Sequence, residues 1–309
     1  MSVYVAHNTV STISYKNSDS WITLNSIEQS IKEKIEKVGI PLKDWDININ
    51  YGIKTGLNDA FIISTEKKDE LIAADPKSAE IIRPILRGRD IFRYDYKFAD
   101  LWLIFVPWHF PLQYDESIVG SSTIAEEQFK SNYPAVYNHL LQYKAKLLKR
   151  NKAETGIRYE WYALQRWGSK YWNDFSERKI MYNDICQKLS FSLVPKNIFC
   201  VNTVYFIKDN ADLTYLLACL NSKVTDWYYR TLSVQLGTKA VRMFSIYVEQ
   251  LPIPKLEGEN YALLSHLAEL LSSNKESSDL DINSQIDDIL YKAFDFTKEE
   301  INIIEENYN

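Results

Sequence analysis

Apolar residues along the chain alternate between helical and strand periods, and the polar breaks between them divide it into elements. Ile27, Ile31 and Ile35 recur on one face, so the spacing predicts a helix over about 26–38, with Ser26-x-x-Gln29 as its capping box and Gly39 and Pro41 as its stop. NINYGIKTGLNDAFII reads as a strand, a loop punctuated by Gly52 and Gly56, and a second strand from Ala60 to Ile63. The nearly continuous apolar run Asp100–Val106 predicts a buried strand, as do KIMYNDI (179–185) and IFCVNTVYFI (198–207). Pro134 opens a helix expected to reach about Arg150. It places Tyr137, Leu140, Leu141, Lys144, Leu147 and Leu148 on one side, and His139, Lys146, Lys149 and Arg150 on or near the other. A further helix is expected over about 212–230, with Leu213, Leu216, Leu217, Leu220, Val224 and Trp227 in phase.

Pro252-Ile253-Pro254 is the clearest break, because neither flank continues through it as a helix. Beyond it, Leu263, Leu264, Leu267, Leu270 and Leu271 form one stripe, and Ile286, Ile289, Leu290, Ala293 and Phe294 another. The capping box Thr297-x-x-Glu300 opens a last short helix. The pattern predicts an α+β protein: a lead-in (1–20), a mixed, β-rich body (21–255) and a small acidic helical region (256–309) for docking or dimerisation.

Charge changes this picture. The net charge of −5 is confined to the tail: residues 251–309 hold 4 basic and 13 acidic side chains, whereas residues 1–250 hold 32 and 28. Residues 130–200 hold 13 basic and 5 acidic side chains among 13 aromatics, a composition that suits either a nucleic-acid surface or a solvated basic helix beside an acidic one. The ordinary globular make-up of the 309 residues, 46% hydrophobic and 25% charged, excludes bulk disorder. Three cysteines without C-x-x-C spacing fit a reducing compartment. The N-terminus has no signal-peptide layout, and the uncharged stretch Leu101–Tyr114 is short and broken by Pro107 and Pro111. A soluble, cytoplasmic protein without a membrane partner is expected.

Catalytic signatures are missing. None of the nine glycines is spaced G-x-G, and neither N-P-P-Y, a phosphate-binding loop nor G-x-S-x-G occurs; the four histidines have no ligand spacing. One nuclease-like fragment remains, Asp174 followed by Glu177-Arg178-Lys179, with a spacing too short for two metal-holding carboxylates and a lysine. No cofactor or metal is expected in this chain.

Binding chemistry is better represented, in four polar loops. Lys54, Thr55 and Asn58 surround Gly56, and Arg87 and Arg89 flank Gly88, with ion pairing of the arginines to Asp90 or Glu80 as the structural alternative. Arg158, Gln165, Arg166 and Lys170 lie among the aromatics of RYEWYALQRWGSKYW, of which Trp161 and Tyr162 are expected inside and Arg166 outside. Lys239 and Arg242 follow Gly237. Arginine and glutamine can read base edges, and lysines such as Lys146 can contact phosphates.

The succession YGIKTGLNDAF, DPKSAEIIRPILRGRDI, YKFADLWLIF, FKSNYPAVYNHL, ALQRW, NSKVTDWYYRTL, GTKAVRMF and VEQLPIPKL resembles the TaqI-like C-terminal specificity domain, from about Trp21 to the end and including QIDDILYKAFDFTKEEINIIE. That family is the target-recognition part of N6-adenine methyltransferases and type IIG restriction–modification enzymes. The resemblance implies double-stranded DNA as ligand, with the GIKTGLN loop, LRGRDI and the segment near Arg242 shaping a DNA-facing cleft. It also implies an N6-adenine methyltransferase module or subunit as partner, often with a linked nuclease, and a second copy of the chain is a further candidate partner. S-adenosylmethionine and Mg²⁺ are then expected only in partner modules. No methyltransferase sequence precedes the region, which implies a separately encoded subunit or an excised domain. Two other classes are weighed beside this reading: a metal-dependent endonuclease using Asp174 and Glu177, and a protein-interaction subunit whose basic face is incidental.

Overall fold

The computed structural model describes residues 24–209, 212–233, 235–236, 240–273 and 280–308; the lead-in and Lys239 lie outside them. The first helix spans Ser26–Val38 and buries Ile31 and Ile35, as the spacing predicts. Its cap lies one residue earlier than expected. Asn25 accepts the N–H groups of Ile27 and Glu28 at 3.0 and 2.9 Å, and Glu28 takes the Asn25 N–H at 2.8 Å. A carboxylate at this position also complements the positive end of the helix, which Gln29 could not do.

Four antiparallel strands form a central sheet in the order Ile47–Tyr51, Val204–Asp209, Lys179–Asn183, Phe191–Val194. A second sheet runs Ile62–Ser64, Leu101–Ile104, Ile82–Leu86, Phe199–Cys200, its last pair parallel. A third, small sheet joins Gln235–Leu236, Ala240–Arg242 and Ile185–Cys186. The architecture is α+β. Helices cover the central sheet on one side, and the second sheet and its helices lie on the other. Ile180, Tyr182 and Ile207 therefore enter one core, and Met181, Val204 and Phe206 enter another. Burial on both faces explains why these strands read as unbroken apolar runs.

Three expected elements divide. The run 198–207 is two strands in different sheets, parted by a turn at Asn202 and Thr203. The expected 212–230 helix is Leu213–Leu220 and Lys223–Leu232. Between them, the Asn221 side chain pairs with the backbone of Phe191 through two 2.9 Å bonds, and Ser222 caps the second helix. The helix from Pro134 stops at Leu141 and resumes only as Lys144–Leu147. His139 and Arg150, expected on the polar side, turn inward, and His139 Nε2 lies 3.0 Å from the Ala60 carbonyl.

Pro252–Pro254 is a strand, paired antiparallel with Gly39–Pro41. Each proline lacks an N–H, which this two-stranded ribbon of edges tolerates. A β-carbon on Gly39 would stand 2.4 Å from Pro252 Cβ, so only glycine admits the pairing. The three tail helices, Gly258–Ser273, Leu280–Ala293 and Lys298–Tyr308, place Leu264, Leu267, Leu271, Ile286, Leu290, Phe294 and Ile304 in one core with the helices of 213–232. Among the described residues no helix is long and apolar enough to cross a membrane.

Candidate nucleic-acid interface

The four polar loops, far apart in sequence, meet along one backbone seam. Its centre is the turn Val201–Thr203. Ile53 N–H donates to Cys200 O at 2.7 Å, and Asn202 N–H returns to Ile53 O at 3.0 Å. Val201 N–H donates to Leu86 O and Asp184 N–H to Thr203 O, both at 3.0 Å. Lys54 and Arg87 thus each follow a residue bonded to this turn. Arg242 arrives through Ile185, its partner in the small sheet, and through Met243 N–H, which donates to Asp184 O at 2.9 Å. Lys54 and Arg166 exchange backbone bonds of 3.0 and 2.9 Å, so the third loop is tied to the first.

The GIKTGLN loop is held from below. Gly56 has φ +77°, and a β-carbon there would stand 2.8 Å from Arg150 Cδ and 2.9 Å from Gln165 Oε1. Both the conformation and the close approach require glycine. Thr55 is buried and donates to Asn58 Oδ1 at 2.6 Å, while Lys54 and Asn58 are exposed. Arg150 donates to the carbonyls of Thr55 (2.6 Å), Trp161 (3.1 Å) and Ala163, and burial pushes its guanidinium down to about 10. Its role is that of a clip between two loops. Trp161 and Tyr162 are buried, as expected.

The arginines differ in how they are engaged. Arg87 forks the buried Asp90 carboxylate at 2.9 and 2.8 Å, the ion-pair alternative foreseen for it, while Arg89 is exposed. Arg166 forks Glu154 at 2.8 and 2.9 Å and retains 38% side-chain exposure; Arg158, exposed, reaches the same carboxylate at 2.9 Å. Both guanidiniums lie over the Trp108 ring, 5.4 Å from its centroid for Arg158 and 5.7 Å for Arg166. Arg242 is half-buried over Phe244. Burial raises the Asp184 carboxyl, with Arg242 pulling against it. Lys170 is exposed in the turn after Gly168, beside Tyr171, whose hydroxyl donates to Tyr51 O at 3.1 Å. Lys146 is exposed on its short helix, and no contact among the described residues ties it to the seam.

Sequence reasoning missed the seam's centre. Asn202 and Thr203 are exposed there, and a β-carbon on Gly88 would stand 3.2 Å from Asn183 Oδ1 and 3.6 Å from Thr203 Oγ1. An Asn-Thr pair inside an apolar run is a turn signal that would have located them.

The nuclease-like fragment has no site geometry. Asp174 takes Lys208 Nζ at 2.8 Å and Asn50 Nδ2 at 3.1 Å, and Glu177 faces Lys196 at 3.4 Å. Lys179 is buried, its ammonium donating to the carbonyls of Phe175, Glu177 and Pro195 at 2.9, 2.9 and 3.2 Å. Among the described residues no three His, Cys, Asp or Glu side chains gather as a metal site.

Two solved structures share the fold. The type IIL restriction–modification enzyme MmeI, determined in complex with DNA, superposes with a TM-score of 0.58 at 15% identity, covering 87% of this chain and 36% of that one. The type IIG restriction endonuclease BpuSI gives a TM-score of 0.51 at 13% identity, covering 92% of this chain and 32% of that one. The chain therefore spans about a third of the length of either enzyme. No curated protein matches it. Residues 83–253 match the family model described as the TaqI-like C-terminal specificity domain, a span that contains three of the four polar loops. With more than half its length matched, the chain belongs to the TaqI-like C-terminal specificity domain family.

Proposed function

We propose that this chain recognises a specific sequence in double-stranded DNA as the specificity module of a restriction–modification system. The observation that carries the reading is the seam: within a specificity-domain fold, hydrogen bonds converging on Val201–Thr203 gather four basic-polar loops, three of which present exposed cations in Lys54, Arg89, Arg158 and Lys170. Lysine and arginine there neutralise phosphates and set the register, and Gln165, Arg166 and Asn58 supply base-edge donors. In this reading an N6-adenine methyltransferase module is the partner that flips out the target adenine, and S-adenosylmethionine and Mg²⁺ belong to partner modules. The chain itself contributes address, not chemistry. Selection from a randomised duplex pool tests this: the bound fraction is expected to converge on one motif. Recovery of the starting sequence distribution would sink the proposal.

A further inference from the structure

Glu154 is an acidic residue at the edge of a surface read as DNA-binding, and its carboxylate is saturated. Oε1 accepts from Arg158 Nη1 at 2.9 Å and Arg166 Nη2 at 2.9 Å. Oε2 accepts from Arg166 Nη1 at 2.8 Å and Asn151 Nδ2 at 2.6 Å. Four donors fill the four acceptor sites a carboxylate offers. The arginine is consumed only in part. Both hydrogens of Arg166 Nη1 are used, since that atom also donates to Gln165 O at 2.7 Å. Nη2 spends one hydrogen on Glu154, and the other, with Nε–H, has no partner among the described residues. Those two hydrogens point the same way along one edge of the planar guanidinium, the fork that matches O6 and N7 of guanine.

The Trp108 ring supports both guanidiniums. Trp108 carries Arg166 and Arg158 on its indole and is itself held by Nε1–H donating to Leu164 O at 2.8 Å and by stacking on Tyr159, with centroids 4.7 Å apart. One carboxylate facing two guanidiniums leaves a net positive cluster, so Glu154 does not cancel the charge that attracts DNA.

We propose that Glu154 is a positioning residue that holds Arg166 with its Nε–H and Nη2–H edge presented to a guanine, so that one base preference depends on a carboxylate that does not touch DNA. This rests on the DNA-recognition reading above. Locking the arginine before binding removes rotamer freedom that the complex would otherwise have to freeze.

The test runs the selection from a randomised duplex pool on the full chain as wild type, Arg166→Ala, Glu154→Ala and Glu154→Gln, with circular dichroism melts confirming that each variant is folded. Wild type is expected to enrich a motif containing a guanine that Arg166→Ala no longer selects. Glu154→Ala should lose preference at that same position by about tenfold and keep the remaining positions. Glu154→Gln, which retains one acceptor oxygen and is the gentler change to the fold, should fall between the two. Full guanine preference in both Glu154 variants, with tighter binding overall, would make Glu154 a mere competitor and overturn the inference while recognition stands. Uniform weakening by Arg166→Ala at all sequences would make Arg166 a phosphate contact and overturn it as well. Failure of the wild type to enrich any motif would defeat the functional reading itself, and this inference with it.

Discussion

Arg166 and Lys146 both carry a positive charge, yet their surroundings assign them different work. Arg166 is planar, forked and bound to the seam, whereas Lys146 is a solvated ammonium on a short helix. Arg166→Ala is expected to weaken specific binding by about 1–3 kcal/mol and leave random-sequence binding nearly unchanged. Lys146→Ala should weaken all sequences alike by less, in fluorescence anisotropy against selected and scrambled duplexes. Gly56→Ala should destabilise the fold by about 1–3 kcal/mol in urea titration, since the left-handed turn and the neighbouring Gln165 both oppose a side chain. At this scale residue types were legible in the sequence, but partners were less so. The Arg87–Asp90 pair is three residues apart and was foreseen. Glu154 lies 12 residues before Arg166, and only the turn linking Asn151 to Tyr159 brings its carboxylate back.

At the scale of elements, helical period located the helices at 26–38, 134–147, 213–232 and in the tail, missed Thr65–Ala74 and Thr123–Asn132, and failed where a polar pair sat inside an apolar run. Asn221-Ser222 and Asn202-Thr203 each end one element and start another, because their side chains or backbone have buried partners that periodicity does not record. The tail stripes were legible as apolar, but not what they pack against. Six of their side chains, with Ile304 of the last helix, are buried in the shared core, at about 1.5–3 kcal/mol each, a sum comparable to the ~5–15 kcal/mol net stability of a domain. Removing 256–309 is therefore expected to abolish cooperative unfolding, as read by calorimetry.

Two tail carboxylates also set opposite pH dependences. Burial pushes Asp287 up to about 6, despite the Lys223 N–H at 2.9 Å. Its folded state holds the proton more tightly than the unfolded chain, so its contribution to stability falls as pH rises from about 4 to about 6. Asp287→Asn should flatten that part of a stability–pH profile. Burial works to raise Glu300, but donors from Lys34, Thr297 and Ser30 hold it below the usual carboxylate range, so its contribution is instead lost on acidification.

For the molecule as a whole, charge separation predicts a measurable salt response. About five phosphate contacts give a log–log slope of binding against salt of roughly −4 to −5. A slope near zero in salt titrations of the full chain would be inconsistent with cations such as Lys54, Arg89, Arg158 and Lys170 meeting DNA. The family resemblance was read from about Trp21 to the end, and the family model matches 83–253 of that stretch; the Lys54 loop, outside the matched span, joins the seam through backbone pairing.

That same closure of distant segments imposes an order in time. Gly39–Pro41 pairs with Pro252–Pro254, and Ile47–Tyr51 pairs with Val204–Asp209. A ribosome adding about 5–20 residues per second needs roughly 10–40 s to travel from the first of these segments to its partner. During that interval the newborn chain exposes Ile31, Ile35 and the unpaired edge of Ile47–Tyr51, and the basic loops have no common frame. The chain can become competent for its ligand only after Val204–Asp209 and Pro252–Pro254 have been made, and the segments awaiting them stay open to aggregation and proteolysis until then.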